Sequence, residues 1–502
     1  MRSKKVIINV ISSVLLQLTK VICGFIVPRL IIGSYGSNVN GLISSITQFL
    51  YFIVLLEAGF GPVIKATLYK PIAQKDRETI CKILKTSEKI FRIIAYLFIA
   101  YIIILCCVMP AVVAKEFDVW FTVSLIIIIS ISNFSEYFFG MTYKLFLHAE
   151  QKMYVTSVIQ IATLVLNTLV VVLLVRFNAS IHIVKLLSSL IFVLRPILQN
   201  VYVKQKYKVD LRKIDGNYKF KQKWDALAQH IAWVINSNVD IAIITLCGNL
   251  AEVSVYSVYR LIIDGVKSII KSFVGGIDAA FGDMIAKSES ENLNRGFKIY
   301  EFFYFSITTI VFSSALFLIV PFVKVYTKGV NDANYITPVL ATLMVVEGIV
   351  LLIRQPYQDL VNAAGHFKQT QIGAWVEVIF NIVISFVLTY KFGTVGVVIG
   401  TIFAMTIRSV EFVCYTSKHI LERSIWHSIK VILAIVVEMI IIAMIVSFIP
   451  EFKVDGYFTW LLSSIVIVGI STVVVCAINL VIHKESFKDI VSYLKSKRGI
   501  CR

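Results

Sequence analysis

Long apolar runs recur along this chain, and short polar segments separate them. A run of about 20 mostly apolar residues is long enough to cross a bilayer as a helix. Fourteen such runs are present, roughly over 7–32, 40–65, 89–113, 119–142, 153–175, 182–202, 226–247, 254–279, 298–323, 336–358, 371–390, 395–417, 428–449 and 457–482. The first is too long for a secretory leader and no small-residue cleavage site follows it, so it is expected to stay as a helix. The pattern predicts an all-α, polytopic membrane protein.

Composition sharpens this expectation. Of 502 residues, 58% are apolar and 16% are Asp, Glu, Lys or Arg, against roughly 25% charged in an ordinary soluble protein. Mean hydropathy is +0.83. So few charges cannot cover a water-facing surface, and so apolar a chain is not disordered.

The net charge of +19 raises the question of nucleic acid. The placement of the charges answers it. Segments on the side of the N-terminus, including 66–88, 203–225 and the tail from His483, carry 32 Lys/Arg and 14 Asp/Glu, whereas the opposite side carries 6 and 6. This is the positive-inside distribution. It predicts cytoplasmic termini and affinity for anionic lipid head groups, and no nucleic-acid partner. The eight cysteines form no CxxC pair and read as small apolar residues.

Weak self-similarity runs through the chain. At an offset of 214, Ala149 meets Ala363, Thr156 meets Thr370 and Asn167 meets Asn381. Arg195 pairs with Arg408 and Tyr202 with Tyr415 at 213, and Pro110 pairs with Pro321 at 211. Several matches in order at nearly one offset predict two parallel six-helix repeats plus two extra C-terminal helices. The expected divisions are 1–202 for an N-terminal lobe, 203–225 for a basic linker, 226–417 for a C-terminal lobe, and 418–502 for helices 13–14 with a basic tail. Parallel repeats of this kind point to a transporter, with the substrate path between halves.

Charges inside the apolar runs carry the chemistry, because each costs roughly 2.5–3.5 kcal/mol at mid-bilayer even on a lenient scale. The eighth run holds Arg260, Asp264, Lys267, Lys271 and Asp278, spaced 4, 3, 4 and 7 apart and so on one helical face. Such a stripe must face protein or water. It could be an internally paired seam, through Arg260–Asp264 and Asp264–Lys267, or the wall of a wet cavity. Asn236 and Asp240 share a face of the seventh run, with Asp240 at a depth that suits a pair with Arg260. Lys20 lies near mid-depth of the first run. Glu57, and Glu347 with Arg354 seven residues on, are candidates for gating or coupling. Glu136, Glu377 and Glu438 are further intramembrane carboxyls. Arg195 and Arg408, near cytoplasmic ends, read as anchors.

No catalytic signature accompanies these charges. The sequence has no GxxxxGK[ST] and no HExxH, so no enzyme activity, cofactor or metal is expected.

The stretches PRLIIGSYGSNVNGLISS (28–45), LLEAGFGPVIKATL (55–68), FLHAEQK (146–152), INSNVDIAIITLCGNLAEVSVYSVYR (235–260) and LVNAAGHFKQTQ (360–371) resemble the MOP exporter superfamily, in its polysaccharide (oligosaccharidyl-lipid) flippase branch. The resemblance implies alternating access in a bacterial inner membrane. It also implies movement of an undecaprenyl-diphosphate-linked oligosaccharide from the inner to the outer leaflet, with glycan polymerases or glycosyltransferases as possible partners. Lys20, Arg260, Lys267 and Lys271 would then be the cationic cavity residues. Two alternatives share these features: a drug or cation antiporter of the same superfamily, which would use Asp240, Glu57 and Glu347, and a non-transporting scaffold of an envelope-synthesis complex.

Overall fold

A computed structural model of the chain describes residues 2–57, 59–207, 218, 220, 224–273, 277–449 and 453–482. The expected linker 203–225 therefore lies partly, and the tail from His483 wholly, outside the described residues, as does the side chain of Asp278. Among the described residues the structure is helical throughout, without strands.

The helices are α1 (Arg2–Tyr35), α2 (Ser37–Tyr51), α3 (Val54–Glu57), α4 (Phe60–Gln74), α5 (Arg77–Val112) and α6 (Val119–Ser135). A π-helical turn (Glu136–Gly140) leads into α7 (Met141–Ala149), then α8 (Met153–Arg176), α9 (Ile181–Tyr207), α10 (Trp224–Cys247) and α11 (Leu250–Phe273). The rest are α12 (Ile277–Ala286), α13 (Ser290–Tyr326), α14 (Pro338–Ala364), α15 (Gln371–Phe392), α16 (Thr394–His419), α17 (Ile425–Ser447) and α18 (Tyr457–Ile482).

Thirteen segments of the described residues are long and apolar enough to cross a membrane. The fourteenth expected span corresponds to α11, which has 24 residues but carries the charged stripe. The protein is an integral membrane protein, and its side-chain distribution shows why. On α17, Leu433, Val436, Val437, Ile440 and Met444 are exposed, while Ser428, Ala434, Ile435 and Glu438 are buried. Lipid takes the apolar face, and polar groups satisfy one another inside.

Several expected boundaries shift. The second span is not one helix: α2, α3 and α4 replace it. Pro62 has no N–H to continue the ladder from the preceding turn, and Gly59 and Gly61 flank it. Segment 66–88, expected as a loop, is mostly helix. Asp76 restarts the chain by accepting the Thr79 N–H at 3.0 Å, which caps the 36-residue α5. Segment 143–152 is likewise not a loop, because the π turn carries the fourth span on through α7.

The chain divides into two compact units, Met1–Ser257 with Gly329–Ala333, and Val258–Lys328 with Asn334–Arg502. The cut falls within α11, a different partition from the one drawn on sequence register at 203–225. In the first unit, α1 packs on α8, α6 on α9, and α2 on α10. In the second, α14, α15 and α16 pack together, and α13 packs on α17 and α18.

Candidate functional site: two intramembrane charge clusters

In the second unit, the stripe on α11 is a continuous ladder. Arg260 Nε lies 3.3 Å from Asp264 Oδ2, and Lys267 Nζ lies 3.3 Å from Asp264 Oδ1. Both are the i,i+4 and i,i+3 pairs that the spacing predicts. The ladder then leaves the helix, as Lys267 Nζ meets Glu347 Oε1 of α14 at 3.3 Å. Lys267 and Glu347 are buried, whereas the Asp264 side chain is half exposed and Lys271 is exposed. The stripe therefore has a paired, buried edge and an open edge. Gly348 makes the approach of α14 possible, because a Cβ there would run into the Phe312 ring and stand 3.4 Å from Ile263.

Glu347 and Arg354 are not partners of each other in this arrangement. Arg354 Nη1 binds Glu377 Oε1 of α15 at 2.6 Å. Arg408 of α16 approaches the other oxygen of Glu377 at 3.9 Å, binds Glu411 at 2.6 Å, and donates to the Thr370 carbonyl at 2.7 Å. Arg354 and Arg408 are each 4% exposed. Arg408 is therefore a buried member of a three-helix network, and its reading as an interfacial anchor is corrected.

In the first unit, Asp240 is buried and accepts the Tyr256 hydroxyl at 2.7 Å. Asn236, one turn away, is also buried. A polar zipper joins α2 to α10 and α11 in the same unit. Ser45 meets Thr245 at 2.7 Å, Gln48 donates to Asn238 at 2.5 Å, and Asn40 donates to Ser254 at 2.8 Å. Asp240 falls in the first unit and Arg260 in the second.

A second cluster surrounds Lys20. Lys144 of α7 binds Glu136 of the π turn at 2.9 Å, and Glu57 of α3 accepts the Tyr137 hydroxyl at 3.1 Å. Arg195 of α9 donates through Nε to the Thr163 hydroxyl of α8 at 2.7 Å, and its Nη2 is buried without a hydrogen-bond partner. Lys20 lies within electrostatic reach of Arg195 and Lys144, and Lys144 within reach of Glu57 and Arg195. Two local features gather them. The π turn inserts a residue into the helix and re-aims Glu136 and Lys144. Gly140, at its end, lets α9 come close, since a Cβ there would stand 3.1 Å from Pro196 Cα.

Lys20 was predicted for the site, but Lys144 and Arg195 were not. Arg195 is not an anchor: its Nη2 points into the protein. The register of the repeat was the one signal that could have found it. Thr163 and Glu377 stand 214 apart, and Arg195 and Arg408 stand 213 apart. The same helix-to-helix contact occurs in both units, with a carboxylate under Arg408 and a neutral hydroxyl under Arg195.

No family model matches the chain, and no curated protein matches it in sequence. Solved structures do match in fold. One is the lipid II flippase MurJ in an inward closed conformation, with a TM-score of 0.66 and 13% identity over 95% of this chain and 99% of that one. Another is an inward-facing multidrug resistance MATE family transporter of the MOP superfamily, with a TM-score of 0.64 and 11% identity over 84% of this chain and 99% of that one. A third is the eukaryotic MATE transporter AtDTX14, with a TM-score of 0.56 and 12% identity over 85% of this chain and 98% of that one. The chain thus shares its fold with these solved structures.

Proposed function

We propose that this protein is a flippase that carries a polyprenyl-diphosphate-linked oligosaccharide across a bacterial inner membrane by alternating access, with both termini cytoplasmic. The observation that carries the reading is the unpartnered Nη2 of Arg195 beside Lys20 and Lys144. Three cations there stand against two carboxylates, Glu57 and Glu136. A buried guanidinium with a spare donor is costly unless an anion completes it. Arginine suits phosphate because its planar donors match two phosphate oxygens at once. The open edge of the α11 stripe, with Arg260 and Lys271, supplies further positive charge in the second unit.

Helices α17 and α18 lie outside the repeat and suit a role with a lipid tail. Anionic lipids, glycan polymerases and glycosyltransferases are the partners such an activity would meet.

The test is deletion followed by analysis of the inner leaflet. The flippase reading expects a lipid-linked oligosaccharide to accumulate there and surface polysaccharide to disappear. An antiporter would leave surface glycans normal and make cells drug-sensitive, with Asp240 or Glu347 as the critical positions. That outcome would refute the proposal.

A further inference from the structure

Three turns of the second unit enclose a cavity of about 550 Å³ that the transport reading does not use. They are the turns between α12 and α13, α14 and α15, and α16 and α17. Its size falls in the range of roughly 300–1,000 Å³ usual for ligand sites. Glu289, Glu291 and Glu422 line it with His366 and His419, and no Lys or Arg is among the described residues of its wall. That balance runs against the surroundings, since the segments on this side of the apolar runs hold 32 Lys/Arg and 14 Asp/Glu. We propose that the cavity is the docking site of the basic segment 495–502 of the same chain.

The cavity is a built feature, and its negative charge is uncompensated. Asn294 of α13 donates to the Leu421 carbonyl at 3.0 Å, which ties α13 to the turn after α16. Leu293 and Leu421, both buried, give the cavity an apolar lining. On one wall the Tyr415 hydroxyl lies 3.0 Å from His366 Nδ1, and the Tyr415 and His419 rings are 4.8 Å apart. Among the described residues, Glu291 and Glu422 have no hydrogen bond or ion pair. Glu289 accepts from the Asn292 amide at 3.0 Å. Two cations close by are committed elsewhere, Arg423 to Glu301 at 3.0 Å and Lys287 to Asp283 at 2.7 Å. Carboxylates that share a hollow repel one another, and a partner with several positive charges relieves this. Among the described residues no three such groups are placed to hold a metal ion. The fit is therefore to ammonium and guanidinium groups spread along a peptide, with the aromatic wall suited to a guanidinium plane.

Charge and reach select the occupant. Residues 495–502 include Lys495, Lys497, Arg498 and Arg502 and no acidic residue. They follow α18, which belongs to the same unit as the cavity. Helix α18 runs antiparallel to α13: Trp460 donates to the Leu318 carbonyl at 3.0 Å, Ser471 meets Ser314 at 3.1 Å, and Asn479 donates to Ser306 at 3.1 Å. That register brings Ile482, the last residue of α18, level with about Phe303 of α13. The cavity wall at Ser290 lies thirteen residues further down α13, about 20 Å away along the axis. Thirteen residues also separate Ile482 from Lys495. They span about 20 Å as a helix and about 43 Å extended, so any conformation between delivers the basic segment to the right level. An occupied cavity ties the ends of α13, α14 and α16 together, and docking would restrain their relative movement whatever the cargo.

Cross-linking in the full chain, reconstituted in liposomes that contain phosphatidylglycerol, tests this. The chain keeps Cys501 as its one natural cysteine and carries Glu422→Cys. A short bismaleimide should join the two within one molecule. The cross-linked band should be lost when Lys497→Glu and Arg498→Glu are combined, and lost in high salt, which screens exposed pairs. Glu291→Lys added to that charge-reversed segment should restore it. If Glu422→Cys fails to accumulate, Glu291→Cys gives the same readings, with Glu422→Lys as the restoring change. Absence of any cross-link would overturn the proposal, leaving the segment on the anionic lipid or the cavity to another occupant such as 203–225. So would a band found only as a dimer, which makes the occupant a second copy, or a band indifferent to charge reversal.

Discussion

Arg195 rests on the Thr163 hydroxyl at 2.7 Å, and its Nη2 finds no partner. At the corresponding positions of the second unit, Arg408 stands beside the Glu377 carboxylate and is closed off by Glu411 and Thr370. One contact of a duplicated six-helix pattern thus has two chemistries. In the second unit the charges of the network balance, whereas in the first positive charge is left over. The difference rests largely on one residue, Thr163 against Glu377.

This asymmetry makes a direct prediction. Arg195→Ala should leave the protein in the membrane and abolish export of surface polysaccharide, and Arg195→Lys should rescue poorly because an ammonium lacks the paired donors. Thr163→Glu should have the same phenotype, because it gives Arg195 the partner that Arg408 has. Membrane abundance and surface glycan, measured together, check this. Normal export in Thr163→Glu would rule out a role for the unspent charge.

The ladder on α11 should matter for stability through Glu347. Glu347→Gln leaves Lys267, buried as it is, with only the half-exposed Asp264. Breaking a buried pair on one side costs about 3–5 kcal/mol. The thermal unfolding midpoint in detergent should fall clearly. Replacing both Lys267 and Glu347 with Met should recover most of that loss, because two apolar groups leave no orphan charge. A double variant as unstable as the single one would show that the pair is not the source of the cost.

Gly348 should tolerate no side chain. A Cβ there meets the Phe312 ring at less than contact distance, and overpacking of this kind typically costs about 1–3 kcal/mol. Gly348→Ala should lower the unfolding midpoint, and Phe312→Leu in the same chain should restore part of it. Unfolding curves of the two variants and the wild type provide the comparison.

Orientation follows from the 32-to-6 division of Lys and Arg. In a chain freed of its natural cysteines, single cysteines at Gly36, Glu252 and Asn331 should react with an impermeant reagent from outside, and one at Lys213 should not. Labelling of position 213 in intact cells would reverse the topology.

The sequence by itself determined the class of protein and its local pairings. Apolar runs of spanning length leave lipid as the only suitable solvent. Helical periodicity alone puts Arg260 beside Asp264 and Asp264 beside Lys267, because residues three and four apart share a face wherever the helix sits. What only the tertiary structure decided was which charge meets which across helices. Glu347 goes to Lys267 and Arg354 to Glu377, although the two sit on one helix and invite pairing with each other. Lys144 and Arg195 join Lys20 because a π turn re-aims one helix and Gly140 lets another come within reach of Pro196. Pairings within a helix are set by the backbone's own repeat. Pairings between helices are set by close approach at small residues and by breaks in helical register, and no periodicity in the sequence encodes those distances.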